Sequence, residues 1–124
     1  MGRYINGDIN LKLWFGIQSS DAADRFGVIG RQPEELYYYF SEEDLPSILE
    51  ELKSIEEFLG NNLVKMHKFF EECTTYTDEK LAKFLDVDLG VTERLLKEYA
   101  DYELGLKILK AVQTDGQCEF TAEL

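Results

Sequence analysis

The chain has 124 residues, enough for one domain that buries roughly 65–70% of the surface exposed by its unfolded form. Hydrophobic residues make up 44% and aromatics 13%, which excludes a disordered acidic tail. Against 13 Lys and Arg stand 25 Asp and Glu, a formal charge of -12 whose field repels nucleic acid and anionic lipid and attracts cationic surfaces.

The N-terminal MGRYINGDIN has no apolar run of the secretory type, and no stretch approaches the ~20 apolar residues of a membrane-spanning helix, so the expected location is cytoplasmic. Cys73 and Cys118 lack CxxC spacing and neighbouring histidines. They read as free, mostly buried thiols. There is no internal repeat and no linker, and residues 1–124 are expected to form a single α+β domain.

Asn6-Gly7 signals a tight hairpin turn, since both central positions of such a turn need positive φ. Ile9, Leu11, Leu13, Phe15 and Ile17 then alternate with more polar residues over ten positions, predicting a strand across 9–18 with one buried face. In that register Trp14 points away from the core. Residues 19–34, with Gly27, Gly30 and Pro33, read as a long loop or a loop with one helical turn. A second strand is predicted at 35–40. Its Leu36, Tyr38 and Phe40 share one face, and Tyr37 and Tyr39 share the other, near Trp14.

Ser41, Asp44 and Pro46 announce a helix that Gly60 stops. Leu45, Ile48, Leu49, Leu52, Ile55 and Leu59 form its apolar stripe, while Glu43, Glu50 and Glu57 recur a heptad apart on the far side. Residues 41–60 hold seven acids against one lysine, half of the net charge. Glu56 falls inside the apolar arc and Phe58 outside it, which is expected to reflect a frayed last turn. A helix at 62–73 puts Leu63, Met66, Phe69, Phe70 and Cys73 inward. Thr77 caps a third segment, and Thr92 is expected to cap a fourth helix reaching about Val112. That helix carries two apolar stripes, one of Leu95, Tyr99, Tyr102, Leu106 and Leu109, the other of Leu104, Ile108 and Ala111. It is either central in the fold or covered by a second subunit, which makes a homodimer an expectation. Asp115-Gly116 leads into a last strand of Cys118, Phe120, Ala122 and Leu124. The architecture expected is a small antiparallel sheet of three to four strands with about four helices on one face.

No short catalytic, nucleotide or zinc motif is present, and no cofactor or metal is called for. Asp86-Val87-Asp88-Leu89-Gly90 starts like a calcium loop but reaches Lys97 where a bidentate glutamate belongs, so it reads as a turn capped by its own aspartates. Residues 81–124 carry nine acids against five bases, opposing a DNA-reading helix pair. Direct nucleic-acid binding is therefore not expected.

Two functional readings follow. The first is a non-enzymatic acidic binding protein, an inhibitor or adaptor, engaging a protein partner with a basic surface through Glu43, Glu50 and Glu57 with Trp14, Tyr37 and Tyr39 as anchors, nucleic-acid mimicry being a variant. A structural subunit of a larger assembly shares these features. The second is a small enzyme or small-ligand binder with a cleft between sheet and helices, using Asp21, Asp24, Arg25 and His67. That site requires convergent polar groups. Asp21, Asp24 and Arg25 otherwise read as loop residues making local turns, and His67 as a boundary histidine.

Overall fold

A computed structural model describes residues 3–14, 17–30, 35–72 and 77–123. Phe15, Pro33, Cys73 and Leu124, each named in the sequence-based expectations, lie outside the described residues. The chain is an α+β fold whose described residues form one four-stranded antiparallel sheet: β1 (Tyr4–Gly7), β2 (Leu11–Lys12), β3 (Glu35–Ser41) and β4 (Gln117–Glu123), in the spatial order β2-β1-β4-β3. Four helices follow the third strand or precede the last: α1 (Leu45–Leu59), α2 (Asn61–Glu72), α3 (Asp78–Leu85) and α4 (Leu89–Asp115). Strand β4 lies between β1 and β3, so the sheet closes only once residues 117–123 have joined it.

Alternation sets the two faces of this sheet. Leu36, Tyr38 and Phe40 of β3 and Cys118, Phe120 and Ala122 of β4 are buried, while Tyr37, Tyr39 and Glu119 face solvent. The rings of Tyr38, Phe40 and Phe120 stack with centroids 5.2–6.1 Å apart, forming the floor of the core. Helix α4 covers that floor, and the other helices gather around α4.

The cover for α4 comes from within the chain. Leu104 and Ile108 are fully buried, along with Leu95, Tyr99 and Tyr102. Leu104 and Ile108 of the second apolar stripe are thus used inside the chain, whereas Ala111 is half-buried and Leu106 of the first stripe is 38% exposed. No helix among the described residues is long and apolar enough to cross a membrane.

Several local expectations are corrected. Asn6 and Gly7 belong to β1, and the hairpin turns later, over residues 8–10. Two contacts hold the chain to β4 until then: the Asp8 amide donates to the Glu119 carbonyl at 2.7 Å, and the Glu119 amide donates to the Asp8 carboxylate at 2.8 Å. Gly7, at φ 147°, lies so close to β4 that a Cβ would sit 2.5 Å from the Glu119 carbonyl oxygen. Its role is close approach, and no other residue fits. The 9–18 strand shrinks to Leu11–Lys12, although Ile9 and Leu13 are buried in the expected phase. The backbone turns after Trp14, whose carbonyl accepts from the amides of both Ile17 and Gln18.

A 3-10 turn, Glu42–Asp44, leads into α1 and opens on a capping box, with Asp44 accepting from the Ser41 amide at 2.9 Å, and Pro46 sits in the first turn of α1. Its last turn is intact rather than frayed. Glu56 is exposed and accepts a hydrogen bond from the Tyr102 hydroxyl at 3.0 Å, and Phe58 lies beneath the Arg94 guanidinium at 5.5 Å. Leu49, assigned to the buried stripe, is 48% exposed. Helix α4 begins at Leu89, capped by Asp88, which accepts from the Val91 amide at 2.8 Å. Thr92 is therefore not the cap: it is buried in the first turn, donating to the Asp88 carbonyl at 2.8 Å.

Candidate functional site

Glu43, on the 3-10 turn before α1, and Glu50 and Glu57, on α1, are all exposed. Among the described residues none of them forms an ion pair. Of the other acids of this segment, Asp44 caps, Glu56 accepts from Tyr102, and Glu51 pairs with Arg25 at 3.3 Å, while Glu42 is exposed like the three glutamates.

The loop before β3 is anchored by two of its own charged residues. A one-turn 3-10 helix, Ala22–Phe26, buries Ala22, Ala23 and Phe26 and closes on Gly27, whose φ of 110° is left-handed. Arg25 projects from this turn toward α1 and α4. Its Nη1 lies 2.5 Å from Glu98 and 2.7 Å from Asp101. Asp101 has no exposed side-chain surface and is also held by Lys97 at 2.9 Å and by the Gln18 amide at 2.9 Å. Burial alone would lower the Arg25 pKa, but hydrogen bonds and attraction from Glu98 and Asp101 outweigh it and raise it.

Asp24 accepts hydrogen bonds from the Tyr38 hydroxyl and from the Gly30 amide, the latter at 3.0 Å. It therefore ties the loop to the core strand. Burial, then the Asp24 carboxylate, push the Tyr38 hydroxyl well above its ordinary pKa. Asp21 is exposed and accepts from the Ser19 hydroxyl at 2.6 Å. Asp21 makes a local contact within the loop, whereas Asp24 reaches Tyr38 on β3 and Arg25 reaches across the fold.

With the loop so held, Gly27, Val28 and Ile29 form one lip of a cleft of about 780 Å³, whose other wall is Tyr37, Tyr39 and Glu119 on the open sheet face. The tyrosine hydroxyls donate across to β4, Tyr37 to Glu119 at 2.6 Å and Tyr39 to Gln117 at 3.1 Å. Ile29 is 77% exposed, the highest among the large apolar side chains. On its other side Gly27 borders a smaller hollow with Ser47, Glu50 and Glu51. Gly27 thus joins the acidic face of α1 to the tyrosines.

Trp14 does not take part. It is partly buried on the helical side of the sheet, with its ring edge-on to Phe70 at 5.7 Å and Tyr99 at 6.4 Å. Strand β2 ends at Lys12, so the alternation does not reach Trp14, and its grouping with Tyr37 and Tyr39 is corrected.

The residues of the small-ligand reading do not converge. Exposed His67 projects from α2 and its Nδ1 lies 3.0 Å from the Tyr99 hydroxyl. Nearby, burial raises the Glu103 pKa, an effect that His67 and Lys107 partly offset. Arg25 meets α4 at Glu98 and Asp101, which at ~100° per residue lie on the opposite side from Tyr99 and Glu103. A further cleft of about 420 Å³, between residues 8–10 and the end of α4, holds Lys107, Lys110 and Thr114 and none of the four.

Sequence pattern missed Val28, Ile29 and Glu119 as site residues, and the partners of Arg25. The signal for Ile29 was an apolar residue in a loop between glycines; Asp101 gave none. The chain is a small α+β protein with a one-sided sheet bearing an aromatic and acidic cleft. Comparison with protein-family models, with curated proteins and with solved structures finds no match for it.

Proposed function

We propose that the protein is a non-enzymatic acidic binding protein, an inhibitor or adaptor, that engages a basic surface on a protein partner. The observation supporting this most is the set of exposed glutamates Glu43, on the 3-10 turn before α1, and Glu50 and Glu57 on α1, none of which forms an ion pair among the described residues, in a chain of charge -12. Such a row steers a cationic partner and sets its orientation before contact. Tyr37 and Tyr39 offer apolar contact area beside it, through Gly27. The buried thiol Cys118 suits a reducing compartment, and we place this activity in the cytoplasm.

Nucleic-acid mimicry needs the acids on one contiguous face. Exposed carboxylates also project from Asp8, Glu71, Glu79, Glu93 and Asp115, on other elements, so the protein-surface form of the reading is preferred. A second copy of the chain is a poor occupant, since it brings the same negative field.

Affinity capture from native cell extract tests the reading with a charge-matched control. Wild type and Glu71→Lys/Glu79→Lys/Glu93→Lys should retain a common basic partner, and Glu43→Lys/Glu50→Lys/Glu57→Lys should lose it. Equal loss in both variants would reduce the effect to net charge.

A further inference from the structure

The cleft between residues 27–29 and β3 combines three properties that together specify an occupant. Its walls are aromatic, with Tyr37 38% exposed and Tyr39 43% exposed; its lip is aliphatic, with Val28 and Ile29; and its charged lining residue is Glu119. Among the described residues, no lysine or arginine lines it. The hydroxyl bonds to Glu119 and Gln117 tether the tyrosine side chains across β4. A carboxylate accepting one hydroxyl keeps acceptor positions for a second donor.

We propose that this cleft receives an extended segment of the protein partner that carries arginine next to an aliphatic residue. The guanidinium lies over the tyrosines and donates to Glu119, and the aliphatic side chain packs against Val28 and Ile29. Charge complementarity selects the cation. Arginine is favoured over lysine because its planar, weakly hydrated head stacks on aromatic faces and donates in a fork that fits a carboxylate. The segment can continue across Gly27 toward Ser47 and Glu50, where the same strand of positive charge meets α1. An acidic or phosphate-bearing occupant would be repelled by Glu119 and by the chain as a whole.

This inference rests on the reading of a basic partner and adds where that partner is anchored and by which side chain. The probe is a short capped peptide alternating leucine and arginine, titrated into the isotope-labelled full chain while backbone amide shifts are followed by NMR. Shifts should centre on Gly27, Val28, Ile29, Tyr39 and Glu119. The lysine version of the peptide should bind about threefold more weakly and the glutamine version at least about tenfold. Ile29→Ser and Tyr39→Ser should each weaken the arginine peptide about threefold or more, whereas Val64→Ser, at a 72% exposed apolar site on α2, should change nothing. The highly exposed Ile29 serves as the variant least able to disturb folding. Shifts confined to α1, insensitive to Ile29→Ser and Tyr39→Ser, would overturn the cleft assignment while leaving the basic-partner reading intact. Equal binding of the arginine and glutamine peptides would overturn the assignment too. No shift anywhere with either basic peptide would overturn both.

Discussion

Nη1 of Arg25 lies 2.7 Å from Oδ2 of Asp101, joining residues 76 apart in sequence and fastening the loop before β3 to the middle of α4. Asp101 is wholly buried, so its charge is tolerable only through this contact and those of Lys97 and Gln18. Arg25→Met removes the largest of the three. It should cost about 3 kcal/mol by urea unfolding, because a buried carboxylate left under-compensated loses far more than an exposed pair would. A loss below about 1 kcal/mol would show that Lys97 and Gln18 suffice.

Asp24 is the second anchor of the same loop. Asp24→Ala leaves the hydroxyl of the fully buried Tyr38 without this acceptor and frees the Gly30 amide, so it should cost about 1–3 kcal/mol. The loop forming the cleft should loosen as well. Amide hydrogen exchange at residues 27–30 should quicken in this variant more than exchange in α2. Uniform acceleration throughout the chain would instead mean that Asp24 acts on global stability alone.

The alkaline side of the stability profile follows from groups kept protonated by burial. Desolvation pushes Cys118 from an ordinary 9.0 to about 12, with Asp8 and Asp115 adding to it, and pushes Tyr99 from 10.0 to about 12, with Glu103 and Glu71 adding. Tyr38 and Tyr102 are raised by burial and by their carboxylate acceptors Asp24 and Glu56. In each case the folded state holds its proton more tightly than the unfolded state. The stabilisation is complete below pH 9 and is lost as pH climbs from 9 toward 12. Urea midpoints measured across that window should fall steadily. In a Cys73→Ser background, the single thiol Cys118 should resist thiol reagents at neutral pH until urea unfolds the chain. Rapid labelling of the folded protein would contradict its burial.

The elements that the sequence displays best are those whose own pattern closes on itself. Leu36, Tyr38 and Phe40 against Tyr37 and Tyr39 carry a period of two, and Ser41, Asp44 and Pro46 announce a helix by local capping chemistry. The side of Trp14 was not legible in the same way. Alternation says which residues share a face but not where a strand stops; here β2 stops at Lys12, and the Trp14 amide donates to Gln18, whose side-chain amide in turn donates to the distant Asp101. Likewise, α4 could be read as apolar all round, but its cover from within the chain became visible only in three dimensions. Of the site, the heptad of Glu43, Glu50 and Glu57 was legible; the cleft was not, because Ile29, Tyr39 and Glu119 come from three separate segments brought together by the Arg25 and Asp24 anchors.

The most direct measurement is the rate at which the captured partner associates with wild type and with Glu43→Lys/Glu50→Lys/Glu57→Lys, at low and at high salt. Exposed charges act by steering and are screened beyond ~8 Å at physiological ionic strength. The triple variant should therefore associate more slowly, lose most of the salt dependence and dissociate at nearly the wild-type rate. It should also fold with nearly unchanged stability, since all three glutamates face solvent. An unchanged association rate with unchanged salt dependence would contradict the account, leaving the acidic face of α1 with no part in recognition.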